Sequence, residues 1–451
     1  MEPGACSVAE TAVPQPIRVA VPASKSQWQR ALIASLWFPG RWTLDFPGAA
    51  PWSDAAEVPQ DVRDLAALAF AAGEPQVSPG SWTWRGKGPS GADAACVRLG
   101  ESATSARLLA AWLAWGGVPG TAATLAGRGS LRSRGSAALA RLLDLPDPCL
   151  PWTLTARPWP GRVELEGVTS SQEISALLLA AAGAGGGEVV VHGPWPSRPY
   201  VDLTLDLLTR IGVEWQHDSL DPEQPGAGDR WRIHPYEGRG EYRLALESDA
   251  SSAAVLLCAG VIAGRALEVA GLPESSRQAD LSVQNHLAEA GARTWHRDGV
   301  LGAAGPLTSG FDLELRESPD LALPLAAVAG ALALGHWGTP RASRLSGLSH
   351  LAGKESDRFA GLHGLLTAAG VRVETPQPGT LQLLPGTPRQ PGRALPCLGD
   401  HRMAFAIALL SLCVPGLTGD DPACVAKSWP GFWSTWSRAL DGRGWQGRSR
   451  S

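Results

Sequence analysis

The sequence predicts an α/β protein of two domains, each made of three repeats with buried helices inside and sheets around them. Three observations predict it. The chain has 451 residues, too many for one ordinary core. A single pattern recurs six times, at intervals of roughly 65–80 residues: a polar cluster, an Ala/Leu-rich run, a Gly, then a short β-like stretch. Between these units lies a second kind of helix with a solvent face at 3.6-residue spacing. A helix that is apolar nearly all round must be buried. Units of this kind cannot cover their apolar faces singly, so three group around one core.

The buried helices open, in order, at "SKSQWQRALIASL" (24–36), "ATSARLLAAWLAW" (103–115), "SSQEISALLLAAA" (170–182), "DASSAAVLLCAGV" (249–261), "PDLALPLAAVAGAL" (319–332) and "DHRMAFAIALLSL" (400–412). The amphipathic helices are "YVDLTLDLLTRIGVEW" (200–215), "ADLSVQNHLAEAGARTW" (279–295) and "SDRFAGLHGLLTAAGVRVE" (356–374), each ending in Gly and a β-like pair. Chain crossings between the domains are expected near 20–24 and 243–248. This gives one discontinuous domain of residues 1–22 plus 247–451 and a second of residues 23–246, with the active site in the cleft between them.

Composition excludes several classes. A formal net charge of −4 disfavours nucleic acid and anionic membranes as partners. The seven Cys are scattered without a CxxC, so neither a disulfide framework nor a zinc knuckle is expected. A reduced, cytoplasmic setting fits, and the N-terminus lacks the apolar core of a signal peptide. No apolar stretch reaches spanning length uninterrupted. No cofactor is expected, and no metal-ligand spacing is visible. The 19 Trp have no explanation in the sequence alone.

The openings of the buried helices carry the chemistry. A helix N-terminus presents free N–H groups and partial positive charge, which suit anions. Any one Ser, Thr or Asp there can be a plain N-cap. Six such openings, several with Lys or Arg, point instead to one cleft for a multiply anionic small molecule. The 39 basic residues include only four Lys, at 25, 87, 354 and 427, and three of these lie in such clusters. Lys in an Arg-rich chain implies a need for a compact charge able to shift its pKa. Arg30, Arg107, Arg134, Arg358 and Arg402 can hold phosphate or carboxylate with two bonds. "GKESDR" places Lys354, Glu355 and Arg358 within one expected turn, "SPD" supplies Asp320, and "GDHR" supplies Asp400, His401 and Arg402.

These motifs, with "LGESATSARLLAA", "GRGSLRSR", "PSRPYVDLTLDLL" and "CVAKSWPGFW", occur in an order that resembles the 5-enolpyruvylshikimate-3-phosphate synthase family. The resemblance runs from about residue 17 to 440. It implies a two-domain inside-out α/β barrel, the enolpyruvyl transferase fold, with βαβαββ-like repeats and domains that close on substrate. It implies transfer of the enolpyruvyl group of phosphoenolpyruvate to the 5-hydroxyl of shikimate 3-phosphate, with release of phosphate, by a monomer with these two small-molecule substrates. Lys25, Ser26, Arg30, Ser170, Ser171, Gln172, Ser197, Tyr200, Asp320 and Lys354 fall on shikimate 3-phosphate positions. Lys25, Ala103, Thr104, Arg134, Gln172, Arg358, Arg402 and Lys427 fall on phosphoenolpyruvate positions. Asp320 matches the base for the 5-hydroxyl, Glu355 the group that exchanges a proton with the methylene carbon, and Lys25 joins them as catalytic.

The chain departs from the family pattern at Gln29 (usually Asn), Gly135 (usually Pro), Ala103 (usually Gly), His350 (often Asn) and an insertion at 51–61. Ala103 would crowd glyphosate, the family's competitor for the phosphoenolpyruvate site, so tolerance is expected. Two alternatives stay open. One is UDP-N-acetylglucosamine enolpyruvyl transferase, which usually has Asn where Ser26 stands and a reactive Cys where 125–140 has none. The other is a non-catalytic relic that binds anionic metabolites.

Overall fold

The computed structural model describes residues 15–47, 58–72, 75–78, 80–87, 96–221, 223 and 227–447. Much of the 51–61 insertion lies outside them. All six expected buried helices form: Lys25–Trp37, Ala103–Trp115, Ser171–Gly183, Ala250–Ala263, Ala322–Ala333 and His401–Leu410. Ala322–Ala333 is buried at every position, as its lack of a polar face requires. The amphipathic helix Pro199–Ile211 instead buries Val201, Leu205, Leu208 and Ile211 and leaves Asp202 and Arg210 in solvent. It ends at Gly212, whose φ of 96° is a left-handed cap that favours glycine.

The described residues form five mixed sheets of three or four strands. Each contains one parallel pair extended by antiparallel neighbours. A parallel pair needs a crossover, and the buried helix supplies it. Arg162–Glu166 leads through Ser171–Gly183 to Gly187–His192, with Val163 opposite Val189. In two sheets the parallel partner is distant in sequence. Ile17–Val19 pairs with Leu267–Ala270, and Glu241–Ala245 pairs with Gly40–Asp45. The two connecting segments are tied together. Ser24 N–H donates to Glu247 O at 2.8 Å, and Asp249 N–H donates to Pro22 O at 2.8 Å.

The buried apolar residues fall into two clusters. One draws on residues 23–246, the other on Val19, Val21 and residues 250–445. Most of the described tryptophans are buried in these cores. Helices rich in Ala and Gly leave wide spaces, and indoles fill them. Trp37 lies against Gly183 so closely that a Cβ there would fall 2.4 Å from the ring. Trp28, Phe46 and Trp82 pack edge to face, and Trp42 stacks on Tyr242.

Two expectations need correction. The sixth repeat has no sheet among the described residues, only a bridge between Leu395 and Gly419. The segment before that bridge contains Pro388 and Pro391, and Pro396 follows it; each lacks the N–H a ladder needs. The sheets stay separate, so no closed hydrogen-bonded barrel forms among them. "GKESDR" is also not one helical turn. The helix starts at Arg358, because the Asp357 side chain caps it by accepting from Ala360 N–H.

Candidate active site

All six buried helices open onto one cavity of about 650 Å³. Its lining includes Lys25 and Ser26, Ala103 and Thr104, Ser171 and Gln172, Ser251 and Ser252, Asp320, and His401 and Arg402. Both hydrophobic clusters contribute walls, so the cavity is a cleft between two packed halves. Side chains cap several of these openings. Ser102 accepts from Ser105 N–H, Ser170 from Gln172 N–H, and Asp400 from Arg402 N–H. Asp249 caps two helices at once, accepting from Ser252 N–H at 2.8 Å and Lys25 N–H at 3.2 Å. The remaining free N–H groups and the aligned dipoles make the cleft electropositive.

Every candidate site residue named from the sequence lines this cavity except Asp400, which is buried behind it, and Lys427. Lys427 reaches its rim. Its Nζ donates to Gly399 O at 2.7 Å and lies 3.0 Å from Glu101 Oε2. Arg30 is buried and braces the wall, donating to Thr204 Oγ1 (2.8 Å), Ser26 O (3.0 Å) and Tyr200 O (2.8 Å). Gln172 bridges two openings, accepting from Arg107 and donating to Thr104 Oγ1 at 2.7 Å. Gln29 fits its site by donating to Ser102 Oγ at 2.7 Å and Ser105 Oγ at 2.9 Å.

The carboxylates sit among cations. Asp320 lies 2.7 Å from Arg402 Nη2 and 3.4 Å from Arg358 Nη1, and it accepts from Tyr200 Oη at 3.1 Å. Burial would raise its pKa, but Arg402, Arg358 and Lys354 outweigh that and hold it below the usual carboxylate range. Glu355 lies 3.2 Å from His401 Nδ1. Burial opposes its ionisation too, yet His401, Arg358 and Lys25 hold it well below the usual range. Burial, reinforced by Asp280 and Asp320, keeps the Tyr200 phenol protonated far above its ordinary value. Lys354 is pushed down to about 8, by burial first and then by Arg358, Arg134 and Arg107, against the pull of Asp320. Lys25 stays charged because Asp61, at 2.8 Å, and Glu355 outweigh the cost of its burial.

Some lining residues escaped the sequence reading. Asp61, Glu101 and Ser251 belong to the lining. Asp61 lies two residues into the helix Gln60–Ala69, and nothing in its local sequence links it to Lys25. One cluster not foreseen is Glu355, Asp400 and His401, whose ligand-type atoms lie within 4.8 Å of one another. Asp400 is already engaged by Arg358 Nε (2.8 Å), Arg358 Nη2 (3.2 Å) and Arg402 N–H (2.9 Å). That donor set suits a buried ion-pair network better than a cation.

A family model described as EPSP synthase (3-phosphoshikimate 1-carboxyvinyltransferase) matches residues 11–436. The chain belongs to this family. A 3-phosphoshikimate 1-carboxyvinyltransferase of Syntrophobacter fumaroxidans is 33% identical over 360 residues, covering 76% of this chain and 79% of the relative. One from Laribacter hongkongensis is 35% identical over 276 residues, covering 60% of this chain and 61% of the relative. That match, like the one to the Shewanella amazonensis protein, spans about three fifths of the relative's length. The fold is that of EPSP synthase from Acinetobacter baumannii, with a TM-score of 0.68 at 20% identity, covering 94% of this chain and 95% of that one. The enolpyruvyl transferase NikO from Streptomyces tendae shares it, with a TM-score of 0.65 at 17% identity over 95% of both chains. Among the described residues, no helix is long and apolar enough to cross a membrane.

Proposed function

We propose that this protein transfers the enolpyruvyl group of phosphoenolpyruvate to the 5-hydroxyl of shikimate 3-phosphate. One observation carries the reading: two ionised carboxylates, Asp320 and Glu355, face a cavity where six helix N-termini and the cations Lys25, Arg134, Lys354, Arg358 and Arg402 converge. Family membership supports it. Asp320 takes the proton of the 5-hydroxyl as the oxygen attacks C2 of phosphoenolpyruvate. The methylene carbon gains a proton from Glu355, giving a tetrahedral intermediate that still holds carboxylate and phosphate. Phosphate then leaves as the C2–O bond breaks, and Glu355 recovers a proton from the methyl group. Glu355 can serve as the acid only once bound anions offset the local cations and raise its pKa. Lys25, Arg134, Arg358, Arg402 and Lys427 stabilise the charge that develops. Ser170, Ser171, Ser197, Tyr200 and Lys354 hold the acceptor.

The division into residues 1–22 plus 247–451 and 23–246 is part of this proposal, supported by the two hydrophobic clusters. So are a monomeric state, a cytoplasmic setting and glyphosate tolerance. Ala103 supports the last, since it lines the cavity at the start of its helix. Mass spectrometry of the acceptor after incubation with phosphoenolpyruvate tests the reaction. Shikimate 3-phosphate should gain an enolpyruvyl group, and an unmodified acceptor overturns the reading.

A further inference from the structure

Glu101 is a carboxylate placed where anions are to be bound, which asks for a reason. Its Oε2 accepts from Ser130 Oγ at 2.8 Å and Ser130 N–H at 3.3 Å. The same oxygen lies 3.0 Å from Lys427 Nζ. Its main-chain carbonyl accepts from Arg134 Nη1 at 3.4 Å. Gly129, with φ +49°, passes so close that a Cβ there would lie 2.5 Å from the carboxylate. Ser130 and Arg134 belong to the half built on residues 23–246, whereas Lys427 follows Cys424 and Val425 of the other core. Glu101 therefore ties a loop of one half to a cation of the other, across the mouth of the cleft. Lys427 Nζ is held from its own side by Gly399 O at 2.7 Å.

We propose that Glu101 is a positioning residue that fixes Lys427 and Arg134 relative to each other, so that one small anion meets both. The inference rests on the proposed reaction, in which these two cations bind phosphoenolpyruvate. A carboxylate beside an anion site repels the ligand; here that cost is offset by the order it imposes on a flexible ammonium. The hydrogen-bonding geometry does this, so Gln, which keeps an acceptor oxygen, should serve nearly as well as Glu.

Steady-state kinetics of the wild type come first, and they report the underlying reaction by themselves. No turnover of phosphoenolpyruvate with shikimate 3-phosphate overturns that reading and this inference together. With turnover established, Glu101→Ala should raise the KM for phosphoenolpyruvate about tenfold, the scale of one charge-assisted hydrogen bond. The KM for shikimate 3-phosphate should stay within about threefold. Glu101→Gln should restore most of the loss. In a Lys427→Ala background, Glu101→Ala should add little, because its partner is gone. Three results would overturn the inference while leaving the reaction intact. These are a lower KM in Glu101→Ala, a Gln variant as impaired as the Ala variant, or full additivity with Lys427→Ala.

Discussion

Replacing Lys354 with methionine should stabilise the protein at neutral pH and abolish acceptor binding. Lys354 stands among Arg358, Arg134 and Arg107, and burial with these neighbours lowers its pKa from 10.5 to about 8. A shift of that size corresponds to roughly 3 kcal/mol. The side chain is only partly buried, so solvent in the cleft screens some of it, leaving about 1–2 kcal/mol. The sign follows from linkage. Below pH 8 the lysine is charged in both folded and unfolded chains, and the folded state bears the whole cost. Between 8 and 10.5 the folded state releases its proton first, so the cost fades as pH rises. Thermal unfolding at pH 6.5 and 9.5 reads it. Lys354→Met should melt a few degrees above the wild type at pH 6.5, with a smaller gap at pH 9.5. A variant less stable than wild type at pH 6.5, or a gap that ignores pH, would refute the reasoning. The same titration should appear in wild-type kcat/KM for shikimate 3-phosphate, falling above pH 8. Lys354→Arg should flatten that limb.

Glu355→Gln and Asp320→Asn should keep most substrate affinity by calorimetry and lose turnover by about 10²–10⁴; near-normal turnover would remove the residue from its role. Asp400→Asn should destabilise the fold by about 3–5 kcal/mol, read by denaturant unfolding, because it leaves the buried Arg358 short of its bidentate partner. Ala103→Gly should tighten glyphosate inhibition by about one to two orders of magnitude, the scale of 1–3 kcal/mol of overpacking, with a smaller change in the KM for phosphoenolpyruvate. Equal, strong inhibition of both proteins would show that Ala103 is harmless to the inhibitor.

The helices were legible because their signals are local. "ATSARLLAAWLAW" forms a helix over the very residues 103–115, since an apolar surface all round and a Ser cap leave little choice. The convergence of six helix starts on one cleft was legible from their shared polar openings. What stayed hidden depends on partners distant in sequence. Asp61 meets Lys25 across 36 positions, and Glu101 meets Lys427 from the opposite half. The sixth repeat forms no sheet among the described residues because its prolines remove donors, a local signal at odds with the repeat. Asp357 likewise marks the true helix start, although "GKESDR" by itself resembles a helical turn.

Phosphate release from phosphoenolpyruvate, followed with each acceptor in turn, tests the proposed activity most directly. Shikimate 3-phosphate should support continuous release, while UDP-N-acetylglucosamine should support none. Release with UDP-N-acetylglucosamine, or none with either acceptor, would contradict the assignment of this cleft to shikimate 3-phosphate.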